Sequence, residues 1–278
     1  MNPPFPIVCP ICSEPLSGSG RSYACPQRHN FDLSAEGYLS LLHGRGNYQH
    51  VGDDKRMVQA RVRVHQLRPY AELAKALAEA SPGGAPGGSV LDIGCGDGYF
   101  LNQVTQASGV PAQGVGIDVS KGALAKAARS YPHLFFVRAD AAHARLPFRD
   151  HAFGRVLSVF APRPIDEVRR VLRPGGAWLI ATATPDHLRE LRPFLPLAAI
   201  GTGKLDEPAS RSYAVLGSRE VRLEQKVAHS DLVSIVEMSP SIHRLRRDYG
   251  EDWVRLVPQE LNLTFSFEVS VLVTTAAP

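Results

Sequence analysis

Val90-Leu-Asp-Ile-Gly-Cys-Gly-Asp-Gly-Tyr99 decides the fold of this chain. An apolar strand runs into a loop with glycine at every second place, and a helix follows. Ligands of doubly wound sheets sit at such carboxyl ends of strands. A dinucleotide fingerprint, G-x-G-x-x-G, needs its third glycine one place beyond Gly98, where the chain has Tyr99. The loop is therefore a poor pyrophosphate cradle. Cys95 within it reads as a small residue in a tight turn rather than as a nucleophile.

Outward from this loop, short apolar runs alternate with helical segments at residues 89–93, 114–118, 134–139, 155–160 and 177–182. That alternation predicts an α/β fold built on a doubly wound parallel sheet. Residues 261–273 alternate apolar and polar side chains, which predicts one long strand or a hairpin closing the far edge. Between them, helices are expected at 186–194 and 230–237, in a region expected to cover the active site. On the N-terminal side, residues 57–80 read as a helix interrupted near Pro69, with Val58, Val62, Leu67, Leu73, Ala74 and Leu77 able to share a face. Ser81-Pro-Gly-Gly-Ala-Pro-Gly-Gly88 breaks it and marks entry into the large domain. The expected organisation is a small module at 1–45, a basic helical linker at 46–88 and the large domain at 89–278.

Three of the four cysteines fall within the first 25 residues, as Cys9-Pro-Ile-Cys12 and Cys25, with His29 four positions further on. A C-x2-C knuckle lets two sulfurs reach one ion, and Cys25 with His29 completes a tetrahedral Zn²⁺ set. The twelve residues between the pairs can form a short hairpin that turns back on the metal. Reading the same residues as unconnected buried cysteines and a surface histidine makes their clustering an accident. A disulfide reading leaves an odd cysteine in the segment. Four protein ligands leave no open position, so the expected zinc is structural.

The chain has 278 residues, enough for one α/β domain and a small appendage. It has no apolar run of transmembrane length and no signal-peptide pattern at its N-terminus, so a cytoplasmic protein with no membrane partner is expected. The net charge of +4 permits a nucleic-acid partner without requiring one. Basic residues concentrate in the linker: Arg45, Lys55, Arg56, Arg61, Arg63 and Arg68, with His43, His50 and His65 among them and only Asp53 and Asp54 opposing. Such a stretch either neutralises phosphates or forms a solvated helix face.

The loop from Asp92 through Gly94, Gly96 and Gly98 resembles the first motif of class I S-adenosylmethionine (SAM) methyltransferases. There the glycines let the backbone approach the cofactor's amino-acid end. Asp118 in Gly116-Ile-Asp-Val-Ser120 stands where the family binds ribose hydroxyls, and Asp140 resembles the acidic residue that meets the adenine amino group. Pro174-Gly-Gly176 resembles the turn before the fifth strand. The resemblance implies a Rossmann-like doubly wound sheet with its last strands antiparallel. Phe153-Gly154 replaces the Phe-Asp common before the fourth strand, and Ser158-Val-Phe-Ala-Pro162 replaces an Asn-Pro-Pro-Tyr-type amine-methylation motif. That argues against exocyclic amines and leaves ring nitrogen, carbon or oxygen acceptors.

Taken in order, the features resemble the RlmA-type 23S rRNA (guanine-N1)-methyltransferases, which include members giving macrolide (tylosin-type) resistance. The likeness runs over Cys25-Pro-Gln-Arg-His29, Phe31-Asp32, Glu36-Gly-Tyr38, the segment from Met57 to Arg61, the SAM motifs and Phe160-Ala-Pro162. It continues through Pro185-Asp-His-Leu-Arg-Glu-Leu191 and Met238-Ser-Pro240. It implies zinc on Cys9, Cys12, Cys25 and His29, and SAM contacts by Tyr70, Asp92, Gly94, Gly96, Asp97, Gly98, Asp118, Asp140 and His187. It also implies a homodimer whose zinc modules help form a cleft for a 23S rRNA hairpin, with Arg21 and Arg28 meeting phosphates beside the linker. Leu67-Arg-Pro-Tyr70 departs from the Gly-His that the family usually has before the tyrosine. Guanine N1 carries a proton that must leave, and no residue identifies itself as the base; Asp186 and Glu237 are candidates by position alone, so the catalytic residue is unassigned. The rival readings are a small-molecule methyltransferase of secondary metabolism with a structural zinc, and a non-enzymatic RNA-binding zinc protein.

Overall fold

The computed structural model describes residues 5–42, 52–80, 88–107, 113–198, 200–201 and 213–274. An eight-stranded sheet organises them, in the order β10-β11-β9-β8-β5-β6-β7-β4. Its centre is β5 (Val90–Ile93), flanked by β6 (Gly114–Asp118) and β7 (Phe135–Arg138) on one side. On the other lie β8 (Phe153–Val159) and β9 (Leu172–Ala183). These five strands run parallel, each where the apolar runs predicted one. The helices α3 (Tyr99–Ala107), α4 (Lys121–Ser130) and α5 (Ile165–Val171) make the crossovers.

Two long strands close the far edge. β11 (Glu260–Thr274) pairs antiparallel with β9, and β10 (Tyr213–Ala228) pairs antiparallel with β11 along its whole length. The predicted strand at 261–273 is thus the inner member of a pair whose outer member was not anticipated. β10 is an edge strand, mostly exposed and carrying Arg219, Glu220, Arg222, Glu224 and Lys226. Charged edges discourage pairing with other chains, and they also hide a strand from an apolar count. The helix α6 (His229–Glu237) lies where one was expected, and α7 (Ile242–Tyr249) follows it. At 186–194 only a 3-10 turn forms, Arg189–Leu191, because Leu188 takes a left-handed φ of +54° that helical continuation does not allow.

The predicted helix at 57–80 is two helices, α1 (Lys55–Val64) and α2 (Arg68–Glu79). Pro69 stands in the first turn of α2, where a missing N–H costs nothing, so the break falls at residues 65–67 just before it. Asp54 caps α1, its Oδ1 accepting the Met57 N–H at 2.9 Å.

The N-terminal module is a small antiparallel sheet, β1 (Ser17–Ser19), β2 (Ser22–Ala24) and β3 (Asn30–Asp32). Its next strand, β4 (Leu39–Ser40), leaves that sheet and joins the large one, parallel to β7. The cores merge too. Phe5, Ile7, Cys9, Leu16, Phe31 and Leu41 belong to one apolar cluster with Phe148, Phe153, Val156, Trp178 and Leu272 on one face of the sheet. The opposite face carries Tyr70, Leu73, Phe136, Leu157, Leu179, Phe265, Phe267 and Trp253.

Phe148 is the joint between module and sheet: it is fully buried, bridges Ile7 and meets the Phe153 ring edge-on at 5.0 Å. Phe148→Ala is expected to cost about 3–5 kcal/mol, the usual range for a buried phenylalanine. Urea unfolding measures it; a loss below about 1 kcal/mol would show that the two cores are energetically separate.

Candidate functional site

A cavity of about 350 Å³ opens at the carboxyl ends of β5, β6, β7 and β8. Its floor is the glycine loop. Gly94 has φ +69°, and a Cβ on it would stand 2.7 Å from that of Ala161, so only glycine lets the segment after β8 close onto the loop. Asp118, at the end of β6, holds the loop from the other side: its Oδ2 accepts the Gly96 N–H at 2.9 Å and its Oδ1 the Ser120 N–H at 2.8 Å. Burial nevertheless pushes the Asp118 carboxyl above its ordinary range, those two N–H groups offsetting part of the effect.

Two more buried aspartates flank it, Asp92 in β5 and Asp97 in the loop itself. Asp92 has an Oδ1 with no hydrogen-bond partner among the described residues, and burial, with the charges of Asp118 and Asp97, pushes its pKa well up. For Asp97 burial opposes ionisation as well, but His65, Arg61 and the Tyr99 N–H outweigh it and hold the carboxyl low. The His65 Nδ1 lies 3.3 Å from Asp97 Oδ2, and its ring stacks on Tyr99 at 4.4 Å. Asp53, Asp97, Asp118 and Asp140 line the cavity, and Arg61, which also lines it, is paired with Asp53 at 2.7 Å. An acidic, largely apolar cleft, with the orphaned oxygen of Asp92 just behind its lining, fits SAM, which carries a sulfonium, an ammonium and a diol.

Of the residues expected at the cofactor, Gly94, Gly96, Asp97, Asp118 and Asp140 line the cavity. Asp92 and Gly98 stand behind them; a Cβ at Gly98 would come within 3.0 Å of the Phe136 ring. Tyr70 and His187 are not among the lining residues and lie in an aromatic layer behind them. Tyr70 is buried 5.7 Å from the His65 ring and 5.5 Å from Phe267, and His187 packs on Phe267 at 4.8 Å and accepts the Ser266 N–H. Neither positional candidate for the base reaches the site. Asp186 pairs with Arg222 at 2.7 Å, and Glu237 is buried between Arg56 and Arg246.

Of the basic linker residues, His43, Arg45 and His50 lie outside the described residues, and Arg56, Arg61, Arg63 and Arg68 meet carboxylates within the chain. Arg56 pairs with Glu237 and Glu251, Arg61 with Asp53, Arg63 with Asp231, and Arg68 weakly with Glu72. Glu237, Glu251 and Asp231 are remote in sequence, so a local charge count could not reveal them. Two members of the basic run, Arg61 and His65, wall the cavity. Phe160 was quoted for its motif, and its place on the cavity was not anticipated.

Cys9, Cys12, Cys25 and His29 converge as the spacing predicted, their ligand atoms all within 4.8 Å of one another. Cys12 Sγ lies 3.6 Å from Cys25 Sγ, and His29 Nδ1 lies 3.5 Å from Cys9 Sγ and 3.4 Å from Cys25 Sγ. A tetrahedron with Zn–S near 2.3 Å and Zn–N near 2.0 Å has edges of about 3.5–3.8 Å. The donor set and its edges fit zinc.

Residues 7–44 match the family model described as "RlmA, N-terminal", a zinc ribbon, and residues 90–176 match "Methyltransferase domain". The chain is 37% identical to a 23S rRNA (guanine(748)-N1)-methyltransferase of Streptomyces fradiae, the match covering 84% of this chain and 85% of that one. A protein of Micromonospora griseorubida, provisionally named a 23S rRNA (guanine-N1)-methyltransferase, is 35% identical over 84% of this chain and 86% of its own. Among solved structures, phosphoethanolamine N-methyltransferase 2 of Haemonchus contortus in complex with SAM shares the fold. Its TM-score is 0.52 at 15% identity, covering 84% of this chain and 61% of that one. Among the described residues, no helix is long and apolar enough to cross a membrane.

Cys25→Ser should lose its bound zinc by elemental analysis and melt about 5–10 °C lower, since the ribbon shares its core with the sheet. An unchanged melting point would separate the metal from the fold. A second expectation concerns pH. Burial raises the pKa values of Asp92 and Asp118, so the stability tied to their protonated forms is lost as pH rises above the ordinary aspartate range. A cationic ligand favours their ionised forms, so SAM affinity should rise with pH across that window, with proton release on binding. Calorimetry in two buffers of different ionisation enthalpy detects the release; equal heats in both would refute it.

Proposed function

The chain belongs to the family of 23S rRNA (guanine-N1)-methyltransferases that carry an RlmA-type zinc ribbon. From that premise we propose that it transfers the methyl group of SAM to N1 of one guanine in a hairpin of 23S rRNA. The observation that carries this reading is the position of the ribbon. Its knuckle residues Cys9, Pro10 and Ser13 share a small cavity with Asp140, Ala144 and Arg145, so the ribbon stands at the rim of the SAM cleft. An RNA gripped there would present a base to the cleft.

SAM supplies a methyl group on a positively charged sulfur. The acceptor base must leave its stack, and its N1 must approach in line with the breaking C–S bond. In this reading Gly94, Gly96 and Gly98 admit the cofactor's amino-acid end, and Asp92 and Asp97 face its ammonium. Asp118 takes the ribose hydroxyls. Asp140, whose Oδ1 already accepts the N–H groups of Ala142 and His143, meets the adenine edge. Tyr70 and His187 serve the cofactor from the aromatic layer. Cys9, Cys12, Cys25 and His29 hold a structural zinc that shapes the ribbon and takes no part in the transfer.

The proposal extends to organisation and setting. Residues 1–45 recognise RNA, 46–88 link, and 89–278 carry the transfer. The molecule acts as a homodimer in the cytoplasm, where ribosomal RNA is found, and its modification protects against tylosin-type macrolides.

Labelled methyl transfer from SAM to large-subunit rRNA lacking the modification tests the reading, with the product nucleoside and its position read by mass spectrometry. The expected product is N1-methylguanine at one hairpin position. SAM binding without transfer to rRNA would overturn the proposal in favour of a small-molecule acceptor or a non-enzymatic role.

A further inference from the structure

A guanine drawn out of RNA loses its stacking neighbours, and proteins that handle such bases replace them with an aromatic face. Among the described residues, Phe100 and Phe160 line the SAM cavity. Phe100 is buried, whereas 43% of Phe160 is open. Phe160 also holds a left-handed backbone, φ +54°, which a residue with a Cβ rarely adopts. Strained positions of this kind persist where the surroundings fix them, and they cluster at functional sites.

Here the surroundings are visible. The Phe160 N–H donates to the Ala181 carbonyl at 3.0 Å, which pins the residue to the end of β9. The next residue, Ala161, fills the space that Gly94 leaves empty. Between these two anchors the chain turns sharply and puts the Phe160 ring at the cavity wall. Phe267 and Phe100 support the ring at 5.5 Å and 6.4 Å, tilted 54° and 70° to it. Ser158-Val-Phe-Ala-Pro162 offers no carboxylate or amide with which to grip a base by its edge. What it offers an acceptor is a ring face.

We infer that Phe160 is the platform on which the acceptor guanine stacks, setting the plane of the base against the methyl group. This inference rests on the rRNA-methylation reading above and adds the residue that receives the base.

The test compares the full-length wild-type chain with Phe160→Ala, Phe160→Leu, Phe160→Tyr and Phe160→Trp on unmodified large-subunit rRNA, with SAM affinity measured in parallel by calorimetry. Phe160→Ala should lower kcat/KM for RNA about 10- to 100-fold, the effect of removing one base–aromatic stack. SAM affinity should fall far less than kcat/KM does, since the carboxylates that face the cofactor's positive groups are untouched. Leucine fills most of the volume but has no π face, so Phe160→Leu should stay low while Phe160→Tyr and Phe160→Trp recover to within about threefold. Full activity in Phe160→Leu, or loss of SAM affinity in step with activity, would reduce Phe160 to packing and overturn the inference. Absence of transfer by the wild-type chain would instead remove the rRNA reading, and this inference with it.

Discussion

Three carboxylates buried around one glycine loop, Asp92, Asp97 and Asp118, set the terms for everything built near them. Taking a carboxylate out of water is costly unless hydrogen bonds or an opposite charge replace the solvent. Each of the three is handled differently. Asp118 is turned on two backbone N–H groups, Asp97 on His65, and Asp92 keeps one oxygen with no partner among the described residues. The Gly96 N–H that reaches Asp118 comes from a backbone at φ +54°, a conformation that favours glycine. The charge left over has a use. A ligand bearing two positive centres completes the site, and a phosphate-rich ligand is repelled by it.

The linker belongs to the same construction. Its first helix brings Arg61, and the break after it His65, to the cavity wall, and the Ser120 hydroxyl donates to the Asp53 carbonyl, fastening the start of the linker beside Asp118. Arg56 and Arg246 then tie α1 to the C-terminal helices through Glu237, Glu251 and Asp54. Glu237 is nearly buried between two guanidinium groups, so removing either partner would strand a charge, a larger loss than the pair's net contribution. The linker is therefore a wall of the cleft, and what binds in the cleft is coupled to where the linker lies.

Legibility in the sequence tracked how local the physics was. The parallel strands were readable because buried strands are continuous apolar runs, and β11 because one of its faces is polar. The zinc ligands were readable because two short spacings carry them. β10 was missed because its side chains are those of a solvated segment and its partner begins more than thirty residues later. The ion pairs of the basic linker were not readable because the carboxylates facing Arg56 and Arg63 lie 195 and 168 residues away. Phe160 was visible as a letter in a motif; its exposure and its left-handed backbone exist only once Gly94 and Ala181 are placed around it.

The sheet's two edges show why the ribbon sits where it does. The β10 edge is long, charged and irregular, with a bulge between Val215 and Gly217, and needs no cover. The β7 edge is short, and its middle residues, Phe136 and Val137, are buried, so open to water it would be a site for uncontrolled pairing. β4 closes it with two residues, and the zinc set holds the hairpin that supplies β4. Asp140, two residues beyond the end of β7, lines the cleft. Covering the vulnerable edge and placing a metal-stiffened surface beside the cofactor are thus one structural solution, which explains why the ribbon shares a core with the domain instead of hanging from it on a tether.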